Sequence, residues 1–134
     1  MPEFFLDAEG GQFAFLKEDD EADWSQAIYR SQTSPDAEPS DQSDADVLDT
    51  TSIRSVTCLV KPTSATFKML LKGWQQANNI PDFYVLPGGD LRAGFSDKLS
   101  LHINVQGVDA FYPQITEIDG TEVEVEYAPL PYES

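Results

Sequence analysis

The sequence predicts a mainly β fold: a β-sandwich or a partly closed barrel with one α-helix on its flank. Two segments, 99–106 and 121–127, alternate apolar and polar residues as half-buried strands do. A third, 64–77, repeats its apolar residues at helical spacing. The length of 134 residues fits one domain, 1–134, and residues 18–49 form a long acidic loop or arm within it.

Short apolar patches open the chain. Residues 4–6 and 13–16 are candidate strands, the second directly after a glycine pair. Residues 18–30 begin with acids and continue with apolar residues at helical spacing, which fits a single helical turn or an ordered loop. Residues 31–49 consist largely of Ser, Pro and Asp, the composition of a linker that cannot order itself, so we expect a neighbouring chain to order them.

The next segment, 50–62, is rich in β-branched residues and ends at a proline, as a strand does. Beyond it, five apolar side chains fall at i, i+3, i+4, i+7 and i+10 and predict the helix over 64–77: Phe67, Leu70, Leu71, Trp74 and Ala77. Lys68 and Lys72 share the polar face of this helix. They are either solvated or the partners of acids from another segment or subunit.

From residue 82 onward the pattern is β throughout. The sequence PGGD at 87–90 predicts a turn. Leu99 to Val105 form a half-buried strand with His102 on its polar face. The sequence IDGT at 118–121 predicts a hairpin turn that joins this region to the last strand.

That last strand alternates three carboxylates with apolar residues. Side chains in a strand point to opposite faces in turn, so Glu122, Glu124 and Glu126 form a row with spacings of roughly 6–7 Å. The row faces bulk water, a metal, a basic partner or something that it repels.

The net charge of −16 is unevenly distributed. Residues 1–50 hold fourteen acids and two bases, whereas residues 54–98 hold six bases and three acids. Such a chain does not grip nucleic acid directly, because binding of phosphates requires cations. It suits a surface that repels DNA, or one that imitates DNA for a basic protein.

Motifs for catalysis and metal binding are missing. The single cysteine, Cys58, lies in an apolar run and reads as a buried side chain; a nucleophilic role would require the single histidine, His102. Acids at 41–49 lack the spacing and the glycine of an EF-hand loop. We expect no enzyme, no cofactor and no metal. We also expect no membrane anchor, since the chain has no apolar run of eighteen residues and no signal peptide.

From Asp46 to Tyr127 the order of elements resembles the tail-tube proteins of long-tailed bacteriophages. The matching pieces are a DV step leading to a strand, a helix with a leucine pair, a strand ending near proline-glycine and a glycine-aromatic step: Asp46-Val47, Ser55 to Val60, Leu70-Leu71, Phe83 to Gly88 and Gly94-Phe95. The resemblance implies hexameric rings joined by sheet pairing, stacked into a hollow tube that conducts DNA at ejection.

In such a tube an acidic wall would not retain phosphates, so the three glutamates of the last strand would face the lumen. The resemblance further implies that an arm bridges neighbouring subunits, with candidate acids in the segment and candidate receivers on the predicted helix: Asp36, Glu38, Asp41, Asp44 and Asp46 with Lys68 and Lys72. The partners would be further copies of the chain and other tail proteins. The protein would be located in the virion, after assembly in the host cytoplasm.

Two other functions remain open at this point. One is a DNA-mimicking inhibitor of a basic protein, which would stay monomeric or dimeric and bind its target less tightly as salt rises. The other is a different head or tail protein of a phage, such as an adaptor or a decoration protein.

Overall fold

A computed structural model describes residues 3–7 and 22–131. These residues contain seven strands and one short 3-10 helix at Trp24–Gln26. The strands are β1 (Glu3–Asp7), β2 (Ile28–Gln32), β3 (Leu48–Asp49), β4 (Ile53–Gln75), β5 (Asp82–Phe95), β6 (Leu99–Asn104) and β7 (Ala110–Pro131).

All seven strands belong to one sheet in the order β1-β6-β4-β7-β2, with β3 paired to β7 and β5 paired to β4. Every pair is antiparallel except β1 with β6. The two long strands β4 and β7 pair almost end to end, from Ile53 opposite Pro131 to Trp74 opposite Ala110. The expectation of a mainly β fold is confirmed, but the sheet does not close into a barrel, and a two-sheet sandwich is not confirmed.

The sheet folds back over itself. Phe111 and Tyr127 both lie on β7, sixteen residues apart, and a straight strand would separate them by about 50 Å. Their ring centroids are 6.0 Å apart at an interplanar angle of 74°. The two halves of β7 therefore face each other across the core, together with the halves of β4 that pair with them.

β4 and β7 lie in close contact at Gly120. Gly120 of β7 has φ of 140° and pairs with Ala65 of β4. The residue before Ala65, Ser64, has φ of 48°, a value that side-chain-bearing residues rarely adopt. A Cβ atom on Gly120 would lie 2.2 Å from the Ser64 carbonyl oxygen and 2.5 Å from the Ala65 Cα. Glycine at this position lets the two paired backbones lie in contact.

The predicted helix over 64–77 is wrong. Residues 64–75 form the second half of β4, and residues 76 and 77 follow it without regular structure. The core-facing positions of this half alternate instead of following a helical stripe: Phe67, Met69, Leu71 and Gly73. Leu70, which completed the helical spacing, is only half-buried. The leucine pair of the tail-tube resemblance is thus carried by a strand, and the two members of the pair point to opposite faces.

Both predicted turns in the β region are also wrong. Residues 118–121 lie within β7, which runs through them without a hairpin. Residues 87–90 lie within β5, where Val85 pairs with Lys72 and Asp90 pairs with Leu70. Four residues of β5 therefore stand opposite one residue of β4, so the two glycines allow a large bulge instead of a chain reversal.

Several other predictions are confirmed. Residues 4–6 lie in β1, Cys58 is buried as expected, and β6 buries its alternate leucine and isoleucine residues. The strand predicted over 50–62 is present from Ile53, but it continues past Pro62 as β4 instead of ending there. The helical turn expected in 18–30 is the 3-10 helix, whose N-cap Asp23 accepts a hydrogen bond from the Ser25 amide. The predicted strand at 13–16 lies outside the described residues. Within the described part of the chain, no helix is long and apolar enough to cross a membrane.

Candidate functional site: the carboxylate row and the acidic segment

The carboxylate row lies on the outer face of β7. Its alternation is as predicted, because the three residues between and after the glutamates are fully buried: Val123, Val125 and Tyr127. Glu122, Glu124 and Glu126 point the other way and are half-exposed. The row is therefore available to solvent or to a partner on the convex side of the sheet.

Hydroxyl groups of the neighbouring strand β2 hold two of these carboxylates. Tyr29 donates a hydrogen bond of 2.7 Å to Glu124, and Ser31 donates one to Glu122. The bond to Glu124 raises the pKa of the Tyr29 phenol, because it stabilises the protonated form. On the other side, Lys61 of β4 pairs with Glu124 in the strand register and lines a shallow depression with Tyr29 and Glu126.

Residues 33–46, which we call the acidic segment, cross the outer edge of β7 between its pairing with β3 and its pairing with β2. Asp36 is the point of attachment. Its backbone amide donates to the Ile115 carbonyl over 2.8 Å, and its carboxylate accepts from the Ile115 amide over 2.9 Å. The Gln114 side chain also donates to the Asp36 carbonyl over 3.2 Å.

The Asp36 carboxylate is buried beside a buried arginine of β2. Arg30 lies 3.2 Å from it, and both side chains are only 5% exposed. Arg30 also donates to the Tyr112 hydroxyl and the Pro113 carbonyl, and its guanidinium lies 4.5 Å from the Tyr112 ring centroid. Such a pair stabilises the fold only while both charges and their hydrogen bonds are kept.

The pKa values of this cluster follow from its burial. Burial raises the pKa of Asp36, although the Ile115 amide and Arg30 act in the opposite direction. Burial likewise raises the pKa of Tyr112 to about 12. Burial disfavours the charge of Arg30, yet the surrounding oxygen groups raise the pKa of this guanidinium overall.

The other candidate acids of the segment serve local or exposed contacts. Glu38 forms an ion pair of 2.7 Å with Lys72. The side chains of Asp41 and Asp44 accept hydrogen bonds from amides two residues ahead, which fixes two turns, and the Asp46 carbonyl accepts from the buried Tyr127 hydroxyl.

Of the two candidate receivers, Lys72 thus meets an acid of the segment. Lys68 instead pairs with Glu117 on the adjacent strand β7 at 2.9 Å. All these contacts are made within one chain, so contacts of the same residues with a neighbouring copy stay a prediction.

Sequence reasoning missed Arg30, Tyr112 and Ile115 as the docking site of the segment. Arg30 is one of only two bases among the first fifty residues, and its place on a half-apolar strand was the available signal. Tyr112 and Ile115 carry no such signal, because the site exists only where β2 and β7 meet the segment.

The groups that could do chemistry are kept apart. Cys58 is buried in the core, and its pKa is raised to about 12 by burial. His102 lies on the opposite face of the sheet, next to Thr57 and Ser100 at 3.4 Å each. Within the described ranges, no three His, Cys, Asp or Glu side chains are grouped so as to hold a metal ion.

No protein-family model matches the sequence, and no curated protein matches it either. Among solved structures, the crystal structure of the SPBc2 prophage-derived protein YomS aligns with 77% of this chain and 94% of its own, at a TM-score of 0.46 and 10% identity. At that score and identity the likeness establishes neither a common fold nor a common function.

Proposed function

We propose that the chain is a self-assembling structural protein, a subunit of the stacked rings of a phage tail tube that conducts DNA through an acidic lumen. Its role is non-catalytic. The observation that carries the proposal is the carboxylate row, which follows the outer face of a long strand and has two of its three members held by hydroxyl groups of β2. In this proposal a wall of carboxylates repels the phosphates of passing DNA.

Sheet edges and exposed apolar side chains support assembly. Large apolar side chains are exposed near the start of β5, a strand that pairs with β4 in the sheet: Ile80 at 67%, Val85 at 46% and Tyr84 at 40%. Aromatic and aliphatic groups exposed beside a sheet edge are typical of surfaces that another chain covers. In this proposal neighbouring copies cover them, and exposed acids of the acidic segment reach the adjacent subunit or ring.

The second candidate, a DNA-mimicking inhibitor, is favoured by the same carboxylate row together with the net charge of −16. Sedimentation velocity over a range of protein concentrations separates the two. A tube subunit forms rings or larger polymers as concentration rises. An inhibitor stays monomeric or dimeric, and its sedimentation coefficient rises only when a basic protein is added, with an affinity that falls as salt is raised. That result would contradict the tube and favour the inhibitor.

A further inference from the structure

A cleft of about 250 Å³ opens beside the acidic segment, where three neighbouring strands meet. Ala110 of β7 pairs with Trp74 of β4 on one side and with Asp49 of β3 on the other. Side chains directly opposite one another in a sheet share a face, so Asp49 and Trp74 stand about 10 Å apart with the small Ala110 side chain between them. The rest of the lining comes from the acidic segment and from residues that flank these strands: Gln42, Thr51, Gln76 and Asp109.

Two carboxylates line this cleft, and each keeps one oxygen that the chain does not use. Asp49 accepts through Oδ1 from the amide and the hydroxyl of Thr51, and Asp109 accepts through Oδ2 from the Gln76 amide over 2.8 Å. Within residues 3–7 and 22–131, the second oxygen of each carboxylate has no hydrogen-bond partner, and neither carboxylate forms an ion pair. The cleft therefore holds two carboxylates without a counter-cation.

The donors around the cleft are largely engaged within the chain. The Trp74 indole N–H donates to Gln76 Oε1 over 2.9 Å, and the Gln42 amide donates to the same oxygen over 3.4 Å. A sugar ring would need an open aromatic face to stack on, but Trp74 is only 6% exposed. The described residues bring no third acidic, His or Cys side chain to the two carboxylates for a metal ion. The lining thus suits an organic cation that donates several hydrogen bonds.

We propose that this cleft binds a guanidinium group, the end of an arginine side chain that a partner protein presents. A guanidinium carries its N–H donors in a planar fork, so it can pair with Asp49 and Asp109 at the same time. The volume far exceeds the roughly 10–15 Å³ that one water molecule requires, and it accommodates the group with its neighbouring methylenes. The net charge of −16 attracts cations to the whole surface, and the cleft selects among them. The site is independent of the tube.

The test is a titration of the ¹⁵N-labelled chain with methylguanidinium at constant ionic strength, followed by NMR. The chain has two tryptophans, so the indole N–H of Trp74 reports on the cleft, and that of Trp24, which is 43% exposed and follows Asp23, is the internal reference. We expect the Trp74 signal to shift and to saturate while the Trp24 signal stays. Methylurea has nearly the same shape without the charge and should move neither. Equal shifts of both signals, or an equal response to methylurea, would overturn the proposal.

Two variants remove the charges and keep the fold. In Asp49→Asn and Asp109→Asn the side-chain oxygen that accepts from Thr51 or Gln76 is retained, so the local hydrogen bonds persist. Each variant should bind methylguanidinium about tenfold more weakly, because a charge-assisted hydrogen bond is lost. Asp97→Asn, at an exposed acid outside the cleft, changes the net charge equally and should bind as the wild-type chain does. Equal affinity in all three variants would show that the cleft is not the site.

Blocked tripeptides with arginine or lysine at the centre identify the source of the group. The arginine peptide should bind at least as tightly as methylguanidinium and several-fold more tightly than the lysine peptide, whose ammonium lacks the planar fork. If the lysine peptide binds equally well, the preference for guanidinium is wrong. If methylguanidinium binds but the arginine peptide does not, the arginine side chain of a partner is wrong.

Discussion

At the scale of single residues, Arg30 joins the acidic segment to the sheet. Arg30 lies between the Tyr112 ring and the Asp36 carboxylate, so it links β2, β7 and the acidic segment through one guanidinium. The sequence predicts the acids of the segment but not this partner, because the contact depends on chain crossings that no local pattern records.

The buried tyrosines give a pH dependence with a definite sign. The pKa of Tyr112 is raised from 10.0 to about 12 in the folded chain, so the folded state keeps this proton where the unfolded state has lost it. The stabilisation is complete below pH 10 and disappears as the pH rises toward 12. Denaturant titrations at successive pH values should show stability falling over this interval.

The variant Tyr112→Phe isolates this contribution. It keeps the ring over Arg30, loses a hydrogen bond worth roughly 1–2 kcal/mol at neutral pH, and should flatten the alkaline fall. Tyr84→Phe, at an exposed tyrosine, is the matched control and should leave the fall unchanged. If stability falls equally steeply with rising pH in both variants, Tyr112 is not the cause of the fall.

At the scale of elements, β4 shows why the helix prediction failed. Phe67 and Leu71 satisfy both a period of 3.6 and a period of two, so the choice rested on Leu70, Trp74 and Ala77. Strand β7 pairs with residues 65–74 of this segment, and such long-range pairing overrides a local helical preference. In β6 and at the carboxylate row the alternation is unambiguous, and there the sequence alone predicted the strand and its buried face correctly.

The hairpin prediction at 118–121 failed for a similar reason. A glycine after aspartate is a strong hairpin signal, but Gly120 is required here by the contact with Ser64 of β4. Gly120→Ala should therefore destabilise the chain by about 2–4 kcal/mol, more than positive φ alone would cost. The measurement is the denaturant midpoint at neutral pH.

Gly94→Ala is the control for that variant. Gly94 also has a positive φ, 97°, but a Cβ atom there would meet nothing within 4 Å. The free energy of unfolding of Gly94→Ala should fall only by the cost of the backbone conformation, about 1 kcal/mol. Equal losses at the two glycines would show that close approach of β4 and β7 does not depend on Gly120.

At the scale of the whole molecule, an open sheet folds over itself and carries the carboxylate row on its outer face. The mainly β class and the carboxylate row were predictable from alternation, since both are local patterns. The fold-over of the sheet and the docking of the acidic segment were not, because they depend on contacts between residues far apart in the chain.

Charge reversal tests the role of the row. Replacing Glu122, Glu124 and Glu126 by Lys should leave assembly intact, since these side chains lie outside the core, but should make the polymers retain short duplex DNA on co-sedimentation. The control reverses three exposed acids elsewhere and changes the net charge equally: Asp82, Asp97 and Asp119. Equal retention by both variants would mean that net charge matters and the row does not.

Negative-stain electron microscopy of the purified chain over a range of concentrations tests the central claim most directly. The account predicts closed rings with a central hole, and hollow tubes of stacked rings as concentration increases. Isolated globular particles at every concentration, with no rings or tubes, would contradict it.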